Sequence, residues 1–123
     1  MASELDALGA PRTVFGGLET FAAPDGVALV ELESDEVTAV CPITAQPDWY
    51  RVQIRYAPRG LCVESKSLKL YLQSFRNEGI FCEAFAARIA GDLSEALACP
   101  VEVTAVQKAR GGVTIRASAR SGE

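Results

Sequence analysis

The chain contains no histidine, and its four cysteines include no C-x-x-C pair, so a zinc site is not expected and no metal is assigned. No apolar run approaches the ~18 residues of a membrane span, and no signal-peptide pattern opens the sequence. The expected location is therefore cytoplasmic, with no membrane partner, and a reducing compartment argues against a disulfide framework. Positive charge is also scarce. Twelve Lys and Arg stand against sixteen Asp and Glu, a formal net charge of −4. Without a basic face for phosphates, direct contact with nucleic acid is not expected. Internal repeats and low-complexity segments are missing as well. What is present is 49% hydrophobic residues in 123, enough for one packed domain but small for an enzyme that must enclose a substrate alone.

The hydrophobic pattern divides the chain into an arm over 1–26, a domain over 27–118 and a tail over 119–123. In the arm, only Leu18-Glu19-Thr20-Phe21 looks able to anchor. Val27 to Glu33 alternates as a strand, and Glu36 to Val40 continues it or pairs with it after Ser34-Asp35. Pro42 and Pro47 then bracket a loop, so the strand must end near Cys41. Arg51 to Tyr56 alternates strictly, a second strand that Pro58-Arg59-Gly60 stops. Leu68, Tyr71, Leu72 and Phe75 form a helical stripe, with Ser65 or Ser67 as the expected N-cap, and Asn77-Glu78-Gly79 reads as a turn. Cys82, Phe85, Ile89, Leu93 and Leu97 mark a second helix that Pro100 ends. Val101 to Val106 and Val113 to Ala117 make a hairpin around Arg110-Gly111-Gly112. The order β-β-α-α-β-β predicts an α+β fold, a four-stranded, mostly antiparallel sheet with two helices on one face. Such a sheet has two open edges and one uncovered side, which self-association into a closed ring would satisfy.

Several side chains are chemically suggestive. Cys41 stands where a strand meets a proline-bracketed loop, and Asp48 lies in the same loop, where it could take the thiol proton and return it to a developing anion. The plainer alternative is a core cysteine and a turn aspartate. Lys66 and Lys69 project from one face of a helix start beside Ser65, where backbone N–H groups favour anions: a phosphate site, or simply a solvated face. Arg110 offers a guanidinium at a tight turn, or belongs to an ordinary hairpin. Glu83 opens the second helix, where the dipole stabilises a carboxylate, and it could accept two parallel N–H donors from a guanine-like edge.

Together these residues resemble a known family. Cys41-Pro42 with Gln46-Pro47-Asp48, the run Glu64-Ser65-Lys66-Ser67-Leu68-Lys69-Leu70-Tyr71, Ser74-Phe75-Arg76-Asn77 and Arg110-Gly111-Gly112 are similar to motifs of the short 7-cyano-7-deazaguanine reductases of queuosine biosynthesis (QueF). The likeness is nearly continuous from Val37 to Ile115. It implies a tunnelling fold, homo-oligomeric barrels (pentameric or decameric) and active sites between subunits. It implies that Cys41 adds to the nitrile as a covalent thioimide and that Asp48 is the general acid/base. NADPH would reduce the adduct to 7-aminomethyl-7-deazaguanine. Glu83 would hold the deazaguanine edge with help from Glu64 and Ser65, while Ser65, Lys66, Lys69 and Arg110 would serve the dinucleotide. The family has His-Glu where this chain has Cys82-Glu83. The resemblance therefore leaves two alternatives beside reduction. One is a paralogue that captures the nitrile as a binding protein, and the other is a transferase like the archaeal relatives that add ammonia to a nitrile on transfer RNA. Cys82 is either a small helix-face residue or a redox partner able to form a disulfide with Cys41.

Overall fold

The computed structural model describes residues 15–123. Its elements are β1 (Thr20–Ala22), β2 (Val30–Val40), β3 (Pro47–Tyr56), β4 (Leu61–Val63), α1 (Ser65–Gln73), a 3-10 turn (Ser74–Asn77), α2 (Cys82–Leu97), β5 (Val101–Arg110) and β6 (Val113–Ser121). Strands β2-β3-β5-β6 form one antiparallel sheet in that order, and β1 and β4 form a separate two-stranded ladder. The predicted sheet is present, with β2 and β6 at its edges.

The core lies between the helices and one face of the sheet. From α2, Phe85, Ile89, Leu93 and Leu97 are fully buried against Val52, Val101 and Val103. Each such side chain contributes about 1.5–3 kcal/mol on leaving water. An edge-to-face aromatic series runs through this layer. Phe15 meets Tyr71 at 5.5 Å, Tyr71 meets Phe75 at 5.2 Å, Phe75 meets Phe85 at 4.9 Å and Phe85 meets Tyr50 at 4.7 Å. It reaches from the described start of the chain to the floor of the Cys41 site.

Several boundaries differ from the sequence reading, each for a local reason. Val27 to Leu29 lie outside β2, and the two predicted segments are one strand joined by a bulge between Ser34 and Val37. Strand β3 begins at Pro47, so Asp48 is on a strand and not in the loop. Glu64, not Ser65 or Ser67, caps α1. Helix α2 ends before Pro100, because Ala98 takes the left-handed conformation (φ 55°) and closes the last turn. Within the segment read as an arm, Thr20–Ala22 pairs with Leu61–Val63, a three-residue strand too short for an alternation signal. The rest of that arm, residues 1–14, lies outside the described residues. At the other end, β6 runs to Ser121, beyond the start of the segment read as a tail. No helix among the described residues is long and apolar enough to cross a membrane.

Candidate active site

Two bulges decide which side chains share a face with Asp48. Along the first part of β2, Leu32 and Ser34 lie opposite Ile54 and Val52, the inward positions of β3. Strict alternation would then turn odd-numbered residues away from the helices. The extra residue before Val37 reverses the phase, so Val37, Ala39 and Cys41 are the buried ones. Strand β5 does the same. Gln107 is buried, and by alternation Arg110 would face outward, but the register shifts between Gln107 and Arg110. Arg110 is thereby turned back to the helix side, where Asp48 is only 5% exposed and their side chains meet at 3.1 Å. The turn that follows, Gly111-Gly112, has positive φ at both positions, which glycine supplies without strain.

The Cys41 loop is closed by its own backbone. Cys41 N–H donates to the Gln46 carbonyl at 2.8 Å, and Ala45 N–H donates to the Cys41 carbonyl at 2.8 Å. Ala45 accepts the left-handed region (φ 61°) to complete this turn, a strained choice for a residue with a side chain. From the other side, Val40 N–H donates to the Glu78 carbonyl and Ile80 N–H to the Val40 carbonyl, which ties the entry of α2 to the end of β2. Gly79 packs closely there, and a Cβ would lie 3.3 Å from Pro42 Cα, a tight approach that would press on the Cys41 loop.

This geometry activates the thiol. The Cys41 pKa is lowered from 9.0 to about 6, first by the Thr44 hydroxyl, then by the backbone N–H groups of Thr44 and Ile43, and then by Arg110. At neutral pH the thiolate therefore dominates, which is the form a cysteine nucleophile needs. Thr44 was missed in the sequence because a loop threonine carries no signal until the loop is folded around the sulfur. Replacing Thr44 with valine is expected to raise the midpoint of Cys41 alkylation by about one pH unit, read from iodoacetamide rates across pH.

Cys82 and Glu83 open α2 next to this group. Cys82 is 1% exposed, and its thiol points at the carbonyls of Ala105 (3.5 Å) and Ile115 (3.9 Å). Burial pushes its pKa up, so it is a poor nucleophile, and all four cysteines are free thiols. Above it, Tyr50 is fully buried and donates to Gln107 Oε1 at 3.1 Å. Burial, and then the neighbouring Cys82, raise the tyrosine's pKa. Glu83 is exposed in the first turn.

The lysine-rich helix start is a separate feature. Glu64 accepts from Ser67 N–H at 2.7 Å and Lys66 N–H at 2.9 Å, which holds its carboxyl below the usual range. These two N–H groups are therefore spent on the cap and are not open to a phosphate, contrary to the reading of a free helix end. The ammonium groups of Lys66 and Lys69 remain. Both are exposed, and among the described residues neither has a carboxylate partner, so they fit a phosphate-bearing ligand. Ser65 and Lys69 line a cleft of about 460 Å³ between α1 and β2. Among the described residues, no hydrogen bond or ion pair joins Ser65, Lys66 or Lys69 to Cys41, Asp48 or Arg110. Replacing Glu64 with alanine is expected to cost about 0.5–2 kcal/mol in urea unfolding. Because the folded carboxyl titrates below its unfolded value of about 4.3, this contribution is full above that pH and is lost as pH falls through the folded pKa.

A small α+β protein with an activated cysteine and a buried aspartate paired to a half-exposed arginine, at one end of a four-stranded antiparallel sheet, is the class that fold and site define. A family model described as QueF-like protein matches residues 47–123. The chain is 48% identical over 103 residues to the NADPH-dependent 7-cyano-7-deazaguanine reductase of Frankia casuarinae, covering 82% of each chain. It is 44% identical over 122 residues to the protein of the same name from Syntrophus aciditrophicus, covering 95% of this chain and 86% of that one. Among solved structures, the apo archaeosine synthase QueF-Like matches with a TM-score of 0.73 and 28% identity, over 82% of this chain and 97% of the other. The chain belongs to the QueF-like family, and its fold is the tunnelling fold.

Proposed function

We propose that this protein reduces the nitrile of 7-cyano-7-deazaguanine to the aminomethyl group with NADPH, through a covalent thioimide on Cys41. The names of its relatives support the overall reaction. The observation that carries the mechanism is the thiolate-favouring loop around Cys41, with Asp48 buried on the neighbouring strand opposite Ala39. A nitrile accepts hydride poorly, and addition of the Cys41 sulfur makes a polarised C=N fixed in position. In that step the S–C bond forms, one C–N π bond breaks and the nitrogen takes a proton that Asp48 delivers. Glu83, exposed at the mouth of α2, accepts the paired N–H donors of the deazaguanine edge. Lys66 and Lys69, with Ser65, hold the phosphates of NADPH, and the bound cofactor supplies hydride.

Among the described residues, no hydrogen bond or ion pair joins the lysine face to the Cys41 group, which supports a homo-oligomer whose sites are completed between subunits. Exposed Ile43, Trp49, Phe81 and Val113 flank the site residues in sequence and offer apolar surface for such a contact. The test is stoichiometry. Two NADPH oxidised per nitrile consumed, with the amine identified by mass spectrometry, is the expected result. A second reading, capture or transfer without reduction, is favoured by Cys82 in the family's histidine position and by the archaeosine synthase likeness. It predicts nitrile consumption with NADPH unchanged.

A further inference from the structure

Cys41 follows the end of β2 and Glu83 lies in the first turn of α2, so their separation depends on how those two elements are joined. The join is a single parallel bridge between Val40 and Gly79. Val40 N–H donates to the Glu78 carbonyl at 3.0 Å, and Ile80 N–H donates to the Val40 carbonyl at 3.1 Å. Two hydrogen bonds outside any longer ladder open easily unless something else fixes them. Here the Glu78 side chain is fixed as well. Arg88, in the second turn of α2, donates from Nη1 to Glu78 Oε2 at 2.8 Å. Its Nε lies 3.5 Å from Asp92 Oδ2, and its guanidinium sits 5.3 Å from the centre of the Phe75 ring. Asp92 in turn accepts from the Tyr71 hydroxyl at 2.5 Å. Tyr71 and Phe75 are both buried and pack edge to face.

An isolated exposed ion pair adds little, because two long side chains must be ordered while water screens them. Arg88 is 48% exposed, but three contacts already order it, two of them on groups held by the aromatic core. The series Tyr71, Asp92, Arg88, Glu78 therefore runs from the core to the main chain of Val40, the residue before Cys41. We propose that Arg88 is a positioning residue for nitrile capture: through Glu78 it fixes the bridge at 78–80, and with it the placement of Cys41 relative to Glu83. That consequence rests on the proposed function, in which the nitrile carbon meets the sulfur while Glu83 holds the deazaguanine edge. A misplacement of about 1 Å between two such groups can slow a reaction by roughly 100-fold. Activation of the thiol is a separate matter, since its leading cause is Thr44, within the 41–46 loop.

The experiment compares the parent with Arg88→Met, Arg88→Lys and Glu78→Gln by amide hydrogen exchange, read by mass spectrometry on peptides carrying Val40 and Ile80. Each protein is then mixed with 7-cyano-7-deazaguanine, and separately with iodoacetamide, a small electrophile that does not use Glu83. In Arg88→Met, exchange at Val40 and Ile80 is expected to rise roughly tenfold, with α2 and the sheet unchanged. Nitrile capture should fall roughly fivefold or more, while the alkylation rate and its pH midpoint stay at the parent's. Arg88→Lys, which keeps the charge, should recover part of both losses. Glu78→Gln in the Arg88→Met background should add nothing further, because the two changes break one contact. Glu78→Gln alone carries the test should the methionine variant fail to fold. Unchanged exchange, or faster exchange with unchanged capture, would overturn the proposal. Alkylation falling in step with capture would also overturn it, since the loop itself would then be disturbed. A parent that forms no adduct would contradict the proposed function, and exchange at Val40 and Ile80 would still decide whether Arg88 fixes the bridge.

Discussion

Replacing Cys41 with alanine is expected to abolish both the covalent adduct and NADPH oxidation, a loss of roughly 10⁴-fold or more in turnover. Removing the sulfur removes the only route by which the nitrile becomes a polarised C=N. The substitution should leave the fold intact, since the loop is closed by Cys41 main-chain bonds to Gln46 and Ala45 that alanine keeps. Affinity for NADPH should also be kept, because among the described residues no bond joins Lys66 or Lys69 to the Cys41 group. Isothermal titration with NADPH, beside a turnover assay, checks both halves. Appreciable turnover in the alanine variant would mean hydride reaches the nitrile without covalent capture.

Asp48→Asn should separate reactivity of the thiol from capture of the nitrile. Asparagine has the same shape but neither accepts nor delivers a proton at neutral pH. Loss of a general acid costs roughly 10²–10⁴-fold, and that is the expected fall in the rate of adduct formation. Alkylation should behave differently. Removing a negative neighbour cannot disfavour the thiolate, so the iodoacetamide midpoint should stay at or below the parent's. Arg110 is 39% exposed on its side chain, so water can solvate the unpaired guanidinium and the variant should fold. Parallel losses in alkylation and capture would instead indicate a disrupted loop.

The element order, both helices and the C-terminal hairpin were legible because their apolar positions repeat at the helical or strand period over many residues. The four-stranded sheet followed from that order. The two bulges were not legible. Each adds one residue to one strand; Ser34-Asp35 showed an interruption that could equally have been a turn between two strands, and nothing in Lys108-Ala109 distinguishes an insertion from ordinary alternation. Yet the bulges put Cys41 and Arg110 on the face of Asp48, so the site's assembly was hidden even where its members were named. Asp48 was placed in a loop because prolines at 42 and 47 look like brackets, whereas Pro47 is the first residue of β3, where no ladder N–H is needed. Glu64 was overlooked as the cap because the serines that follow it, Ser65 and Ser67, rank higher in propensity, and the geometry that lets a longer carboxylate reach two N–H groups appears only in the fold.

The most direct test of the account is the intact mass of the parent protein after mixing with 7-cyano-7-deazaguanine, first without and then with NADPH. The account predicts an added mass of one substrate on the peptide containing Cys41, and its disappearance as NADPH is consumed and amine is released. NADPH oxidation with no adduct at any time would contradict the thioimide. An adduct that persists with NADPH untouched would contradict reduction, leaving a protein that captures the nitrile and stops.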